Sequence, residues 1–233
     1  MTPTRTAFTF APIAFAIVAA IAGTGELIFL AANTRAFHSL PQAMWWTSAY
    51  FTDWTGALVT IVCAAAALRW RPLATPFWLG LATVAVVLVG IVVAWLGGWA
   101  QLREQGVGSL YAISNLLAHL VAPWAMLVAW VVAAEHGGLK WRDAALFMLF
   151  PLAYLAQMFA RGALGLGYPY PQVDVGRVGW GPALAFAGVV TLLYLILGLV
   201  LVALDRLLTR REVEPVYARV VDPRAGDGPA AGG

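Results

Sequence analysis

Long apolar runs separated by short polar segments make up most of the chain. Six runs are long enough to cross a bilayer, which takes about 20 helical residues. They lie near residues 8–32, 45–68, 76–98, 111–134, 142–162 and 182–205. Because lipid offers no hydrogen-bond partner to an open sheet edge, each run is predicted to be an α-helix. The pattern therefore predicts an all-α, polytopic membrane protein, in which residues 1–205 form a bundle of six transmembrane helices.

The two ends of the chain need separate interpretation. Residues 206–233 are rich in Arg, Pro and Gly and carry no recurring apolar pattern, which is typical of a disordered tail. At the other end, Arg5 and the segment Ala20-Ile21-Ala22 resemble a signal peptide with its small-residue cleavage site. The apolar stretch nevertheless continues through residues 27–30, which is too long for a typical signal core. A retained first helix is therefore favoured over a cleaved one.

The composition agrees with a membrane protein and excludes several other classes. Of the residues, 62% are hydrophobic and 11% are charged, and the mean hydropathy is +0.81. A soluble domain carries roughly 25% charged residues, so both a water-soluble enzyme and a disordered chain are excluded. The single cysteine, Cys63, excludes an internal disulfide and a multi-cysteine metal site. A net charge of +3 gives no reason to expect nucleic-acid binding.

The basic residues predict the orientation of the bundle, because positively charged loops stay on the cytoplasmic side. If the N-terminus is cytoplasmic, eight of the basic residues up to Arg211 lie on that side and four on the opposite side. The eight are Arg5, Arg69, Arg71, Lys140, Arg142, Arg206, Arg210 and Arg211, and the four are Arg35, Arg103, Arg161 and Arg177. Both termini are therefore expected in the cytoplasm.

Few polar or ionisable side chains fall inside the apolar runs, where they are costly and usually face a cavity or a partner. They include Glu26, Thr52, Asp53, Thr55, Asn115, His119, Gln157 and Arg161. At the rise of an α-helix, Thr52 lies roughly 10 Å below the Trp45–Trp46 pair, and Glu26 and His119 lie at a depth of roughly 10 to 12 Å. Four helices thus place their polar groups in one layer, which predicts a site in that layer.

The residue types in this layer suggest acyl transfer. A Thr hydroxyl becomes a nucleophile when a neutral His withdraws its proton, and Thr52 and His119 supply that pair. A carboxylate, Asp53 or Glu26, can hold the imidazole in the required tautomer. Asn115 can supply a hydrogen bond to an oxyanion. A dry cavity just below the interface suits an amphiphilic ester, so the residues predict a lipid ester hydrolase.

Each of these residues also has a structural interpretation. Thr52 and Thr55 could bond back to their own helix, and His119 could join two helices by a hydrogen bond. Glu26 and Arg161 could form an ion pair, or Arg161 could extend to the interface. The layer could also be the pocket or proton site of a non-catalytic lipid- or small-molecule-binding protein or transporter. A purely structural membrane protein stays open as well.

No metal or other cofactor is expected. His119 is the only histidine predicted inside a span, which excludes bis-histidine haem ligation within one chain and disfavours a zinc centre. The GxSxG and HExxH motifs of other hydrolases do not occur in the sequence.

Several short motifs follow one another between residues 45 and 206. They are Tyr50-Phe51-Thr52, Asn115-xxx-His119-xxx-Pro123, Pro151-xx-Tyr154 leading to Arg161-Gly162, and Tyr168-Pro-Tyr-Pro171. Together they resemble the Pr6Pr family of bacterial six-helix membrane proteins, which is similar to the eukaryotic androgen-induced-gene membrane proteins. The resemblance implies a multi-pass protein of the bacterial inner (plasma) membrane, whose partners are membrane lipids and a lipid-like substrate.

The eukaryotic relatives are described as intramembrane threonine hydrolases of fatty acid esters of hydroxy fatty acids. By motif, their active pair corresponds to Thr52 and His119, and the choice of Thr52 over Thr55 rests on this resemblance. The bacterial pattern follows Phe-Thr with an apolar residue and then with Ser-Asn, whereas Asp53, Thr55 and Gly56 stand at those positions here. The resemblance therefore implies the fold more strongly than the activity.

Overall fold

The computed structural model describes residues 5–97 and 109–221. Within these two ranges every regular element is a helix. The helices are α1 (Arg5–Phe37), α2 (Leu40–Thr47), α3 (Phe51–Ala67), α4 (Pro76–Trp95), α5 (Leu110–Ala133), α6 (Trp141–Ala163), α7 (Val175–Val178) and α8 (Trp180–Val221). The predicted all-α class is thus confirmed for the described residues.

Five of the described helices, α1, α4, α5, α6 and α8, are long and apolar enough to cross a membrane. A sixth span is completed if α2 and α3, which are bent by 99° relative to each other, are counted as one broken span. The chain therefore has the helices of a multi-pass integral membrane protein, with five or six spans in the part that the structure describes.

The predicted continuous helix over 45–68 is wrong, because the structure divides this run into α2 and α3. Long-range hydrogen bonds hold the break open: the Tyr154 hydroxyl donates to the Ala49 carbonyl at 2.7 Å, and the Phe51 N–H donates to the Tyr170 hydroxyl at 2.9 Å. These side chains satisfy backbone groups that a continuous helix would pair internally. Thr52 consequently lies in the first turn of α3 and not deep inside a longer helix.

A π-helical turn, Leu117–Val121, interrupts α5 at the position of His119. Within it the Ala122 N–H donates to the Leu117 carbonyl, five residues back. Pro123 follows directly; it has no N–H for the His119 carbonyl, and its ring would crowd that carbonyl in a regular α-helix. The wider π-helical turn relieves this steric clash, and such turns are frequent at functional sites.

The core of the bundle is built around α4, which packs against α3, α5 and α8. Its span has a mean hydropathy of 2.6 and is the most buried of the five, as expected for a helix that is apolar on all sides. On the other side of α3 and α5, α1 packs against both of them. Gly90 lets α4 approach the Pro123 ring and the His119 carbonyl closely, which is the usual role of small residues between membrane helices.

The last helix is longer than the sequence predicts. Disorder is predicted from residue 206, whereas α8 continues to Val221. Leu, Arg and Glu follow directly after residue 205, and all three are good helix formers. The residues 222–233 of the predicted tail, and Arg103 of the orientation prediction, lie outside the described residues.

Candidate functional site

A cavity of about 550 Å³ lies between α1, α3, α5 and the loop of residues 164–174. Its lining includes five of the polar residues that the sequence predicts for a site, namely Glu26, Thr52, Asp53, Asn115 and His119. The structure thus brings polar groups of three helices into one cavity. The other three residues of the predicted layer, Thr55, Gln157 and Arg161, do not line it.

Thr52 and His119 form a direct hydrogen bond in this cavity, with 3.3 Å between Oγ1 and Nε2. The other ring nitrogen, Nδ1, lies 2.9 Å from the Asn115 carbonyl oxygen. A carbonyl only accepts, so Nδ1 carries the proton, and in the neutral ring Nε2 is left as the acceptor for the Thr52 hydroxyl. The group that orients His119 is therefore a backbone carbonyl, and neither Asp53 nor Glu26 occupies that position.

The position of Thr52 in the first turn of α3 explains why its hydroxyl bonds to another helix. No carbonyl of the same helix lies four residues before it. Thr60 and Thr83, which lie further along their helices, instead donate to the carbonyls four residues back, each at 2.7 Å. Thr55, which also lies in α3, is only 1% exposed, and its hydroxyl has no hydrogen-bond partner among the described residues.

Glu26 of α1 and Asp53 of α3 form a carboxyl pair that lines the cavity where these two helices pack together. The pair fits because residue 56 is a glycine: a Cβ at Gly56 would overlap the Glu26 carboxyl group.

Tyr170 is a site residue whose role sequence reasoning missed. Its hydroxyl accepts the Phe51 N–H at the start of α3, next to Thr52, and its ring packs edge-to-face on Tyr50 with 5.9 Å between the centroids. Burial raises the pKa of the Tyr170 hydroxyl to about 12, so this hydroxyl stays neutral. The only sequence signal was the Tyr-Pro-Tyr-Pro segment, which marks a loop without showing where it folds.

Gln157 and Arg161 of α6 hold the break between α2 and α3. The Gln157 side-chain amide donates to the Ser48 carbonyl at 3.4 Å, and Arg161 Nη1 donates to the Trp45 carbonyl at 3.2 Å. The Arg161 guanidinium also lies 4.3 Å from the centre of the Trp45 ring. The ion pair considered between Glu26 and Arg161 is not among the ion pairs of the described residues.

A second, apolar chamber of about 150 Å³ adjoins the cavity. The two share Thr52 and His119 as lining residues. The chamber extends between α4, α6 and α8, and apolar side chains such as Leu88, Val92, Met158, Phe186 and Val190 line it. The Thr52–His119 pair therefore stands at the boundary between a polar and an apolar space.

Among the described residues no group of three or more His, Cys, Asp or Glu side chains could hold a metal ion. No family model matches the chain, and no curated protein or solved structure matches it either. A functional conclusion therefore rests on the geometry of the chain's own residues.

Proposed function

We propose that the protein is an intramembrane hydrolase of lipid esters, with Thr52 as the nucleophile and His119 as the general base. The observation that carries the proposal is the hydrogen bond of 3.3 Å from the Thr52 hydroxyl to His119 Nε2. The bond at Nδ1 to the Asn115 carbonyl leaves the lone pair of Nε2 directed at this hydroxyl. A nucleophile, its base and the group that orients the base are the parts that such catalysis needs.

The proposed reaction has two steps. In the first, Thr52 Oγ1 attacks the ester carbonyl while His119 takes the hydroxyl proton, and His119 then gives that proton to the departing alcohol. In the second, water attacks the acyl-threonine, His119 takes a proton from the water, and this proton returns to Thr52 as the fatty acid leaves. The Thr52 N–H lies in the first turn of α3 and has no acceptor within the helix, and with the Asn115 side chain it is the proposed donor to the oxyanion.

The two adjoining spaces support an amphiphilic ester as the substrate. An acyl chain fits the apolar chamber between α4, α6 and α8, and a polar head group fits the cavity between α1, α3 and α5. The ester carbonyl of such a molecule would lie at the boundary of the two spaces, beside Thr52 and His119. This is also the chemistry implied by the resemblance to the Pr6Pr family, which we keep as part of the proposal.

Active-site labelling tests the proposal. A fluorophosphonate probe is expected to label the purified protein, and Thr52→Ala and His119→Ala are each expected to abolish labelling. Thr60→Ala is the matched control, because Thr60 lies in the same helix and its hydroxyl is bonded to the Gly56 carbonyl. Labelling that persists in both Thr52→Ala and His119→Ala overturns the hydrolase.

A second candidate function is a non-catalytic lipid- or small-molecule-binding protein or transporter. The Glu26–Asp53 pair favours it, because a Thr–His hydrolase needs neither carboxyl group and both line the cavity. Thermal stabilisation by a ligand that survives Thr52→Ala but is lost in Glu26→Gln is the result expected for this candidate.

For the topology we propose six spans, with α2 and α3 counted as one, and both termini in the cytoplasm of a bacterial inner membrane. The distribution of basic residues supports this orientation. It places the cavity near the outer face, since the cavity adjoins the start of α3 and the loop of residues 164–174.

A further inference from the structure

The apolar chamber between α4, α6 and α8 is closed at its deep end. At the end farthest from the loop of residues 164–174, its lining residues are Leu88, Pro151 and Thr191, one from each helix. About one helical turn further along each helix lies a side chain that is 0% exposed. These side chains are Ala85, Phe147 and Tyr194. Because such a core is closely packed, it leaves no path for a chain beyond the chamber.

The chamber opens toward the cavity. Among its described lining residues only Leu96 is exposed, at 43%, and Leu96 lines the cavity as well. The wall between α4 and α8 includes the Phe186 ring, which stacks on Trp95 with 5.9 Å between the centroids and 8° between the planes. This stacking holds the wall in place. The chamber is therefore a blind pocket, and its boundary with the cavity lies at the Thr52–His119 pair.

The volume of the chamber limits what it can hold. The chamber measures about 150 Å³, and an apolar protein cavity of that size stays free of water and binds benzene, which has about six carbon atoms. The adjoining cavity is larger, at about 550 Å³, which is within the range of pockets that bind drug-sized molecules. The two spaces thus differ in capacity as well as in polarity.

We infer that the chamber receives the acyl chain of the ester and limits it to about six carbon atoms, while the larger alcohol part lies in the cavity. The substrates are then esters of short-chain acids with larger alcohols. That such esters are hydrolysed rests on the proposed function, but the size limit itself concerns binding alone. A long fatty acyl chain, as in the esters that the resemblance implies, exceeds this limit.

Ketone isosteres of naphthyl esters test the limit without hydrolysis, because a methylene group replaces the ester oxygen. The naphthyl group is too large for the chamber, so only the acyl chain can enter it. Affinity is measured by calorimetry on the full chain in maltoside micelles. From the butanoyl to the hexanoyl ketone we expect the affinity to rise about threefold per added methylene. The decanoyl ketone is expected to bind no more tightly than the hexanoyl ketone.

Substitutions in the chamber wall separate its contribution from partition of the ketones into micelles, which is the same for every variant. Ala187 lines the chamber and is 6% exposed. Ala187→Leu fills part of the chamber and is expected to weaken binding of the hexanoyl ketone about tenfold, and that of the butanoyl ketone by about threefold or less. Ala185→Leu is the matched control, because Ala185 lies in the same helix, is exposed and is outside the chamber.

Val190→Ala enlarges the chamber and provides a second test if Ala187→Leu does not fold. It is expected to tighten binding of the octanoyl ketone about threefold or more. Val189→Ala is its control, since the neighbouring Val189 is 53% exposed and outside the chamber. The inference is overturned if the dependence on chain length is the same in the chamber variants and their controls, or if no ketone binds measurably.

Hydrolysis of the matching naphthyl esters separates this inference from the proposed function. Faster hydrolysis of the decanoate than of the hexanoate by the unmodified protein overturns the size limit and supports the hydrolase. If the ketones show the limit and no ester is hydrolysed, the chamber still selects the chain length and the hydrolase proposal fails.

Discussion

At the scale of single residues, the absence of a side chain at position 56 decides what the cavity contains. Gly56 faces α1, and the Glu26 carboxyl group occupies the space that a Cβ would take. Glu26 can therefore reach Asp53 across the α1–α3 contact. In a closely packed interior, a single added methyl group is enough to force a shift of this kind.

Gly56→Ala is therefore expected to displace Glu26 and to lower the free energy of unfolding by about 1 to 3 kcal/mol. Gly188→Ala is the matched control, because an added Cβ at Gly188 in α8 meets nothing within 4 Å. There the same substitution is expected to be neutral or stabilising by up to about 1 kcal/mol, from helix propensity alone. Unfolding in mixed detergent micelles measures both, and equal effects of the two substitutions would contradict this account.

At the scale of helices and loops, the start of α3 is positioned from outside the helix. The loop of residues 164–174 supplies the Tyr170 hydroxyl to the Phe51 N–H, and α6 supplies the Tyr154 hydroxyl to the Ala49 carbonyl. Thr52 is next along the chain. The alignment of the Thr52 hydroxyl with His119 therefore depends on Tyr170, which belongs to a loop and not to either helix that carries the pair.

Tyr170→Phe is expected to slow labelling of Thr52 by the fluorophosphonate probe about ten- to a hundredfold, because small displacements of a nucleophile are costly. The partly buried Phe51 N–H would also lose its acceptor, at a cost of about 1 kcal/mol. Tyr168→Phe is the control, as Tyr168 lies in the same loop and packs on Gly162. A similar labelling rate in the two variants would show that Tyr170 does not position α3.

A second connection between elements lies at the opposite end of the bundle. The Asp205 carboxylate of α8 is 1% exposed, accepts the Leu139 N–H at 3.0 Å and lies 3.5 Å from His136 Nδ1. Asp205→Ala is expected to lower the free energy of unfolding by about 1.5 to 3 kcal/mol, the range for hydrogen bonds to charged groups. The exposed Glu135 provides the control substitution, Glu135→Ala, for which thermal unfolding should not change. If both variants are equally stable, the Asp205 carboxylate does not stabilise the fold through this contact.

At the scale of the whole molecule, the cavity lies at one end of the bundle, beside the loop of residues 164–174. The opposite end contains the loop with Arg71 and the segment with Leu139, whose N–H donates to Asp205. α3 alone, with 17 residues, separates the two ends by about 25 Å. The orientation of the bundle therefore decides from which side of the membrane a head group reaches Thr52.

The proposed orientation can be tested with introduced cysteines, because the native Cys63 is 0% exposed and is expected to react slowly. A membrane-impermeant maleimide added to intact cells should label Leu166→Cys and leave Arg71→Cys unlabelled. Both positions are exposed, so after the membranes are opened both should react. Labelling of Arg71→Cys alone in intact cells would invert the topology and place the cavity at the cytoplasmic face.

The sequence by itself determined the all-helical, multi-pass class of the protein. The length of an apolar run and the helical rise are properties of one segment at a time, so α4, α5 and α6 begin within two residues of their predicted starts. The count of residues along each run predicted one layer for Glu26, Thr52 and His119. For Thr52 this count assumed a continuous helix over 45–68, which the structure breaks before Phe51, and the three side chains nevertheless line one cavity. Their catalytic roles stay a prediction.

Only the tertiary structure decided how these residues face one another. The break before Phe51 depends on Tyr154 and Tyr170, which lie more than a hundred residues away in the chain. The orientation of His119 depends on a π-helical turn and a backbone carbonyl, and neither can be recognised from the residue types in the sequence. Depth follows from a local count, whereas the direction of a side chain and its partner follow from packing between segments that are distant in the sequence. That is why the sequence could suggest Thr52 and His119 as a pair but could not show that Tyr170 joins them or that a backbone carbonyl orients His119.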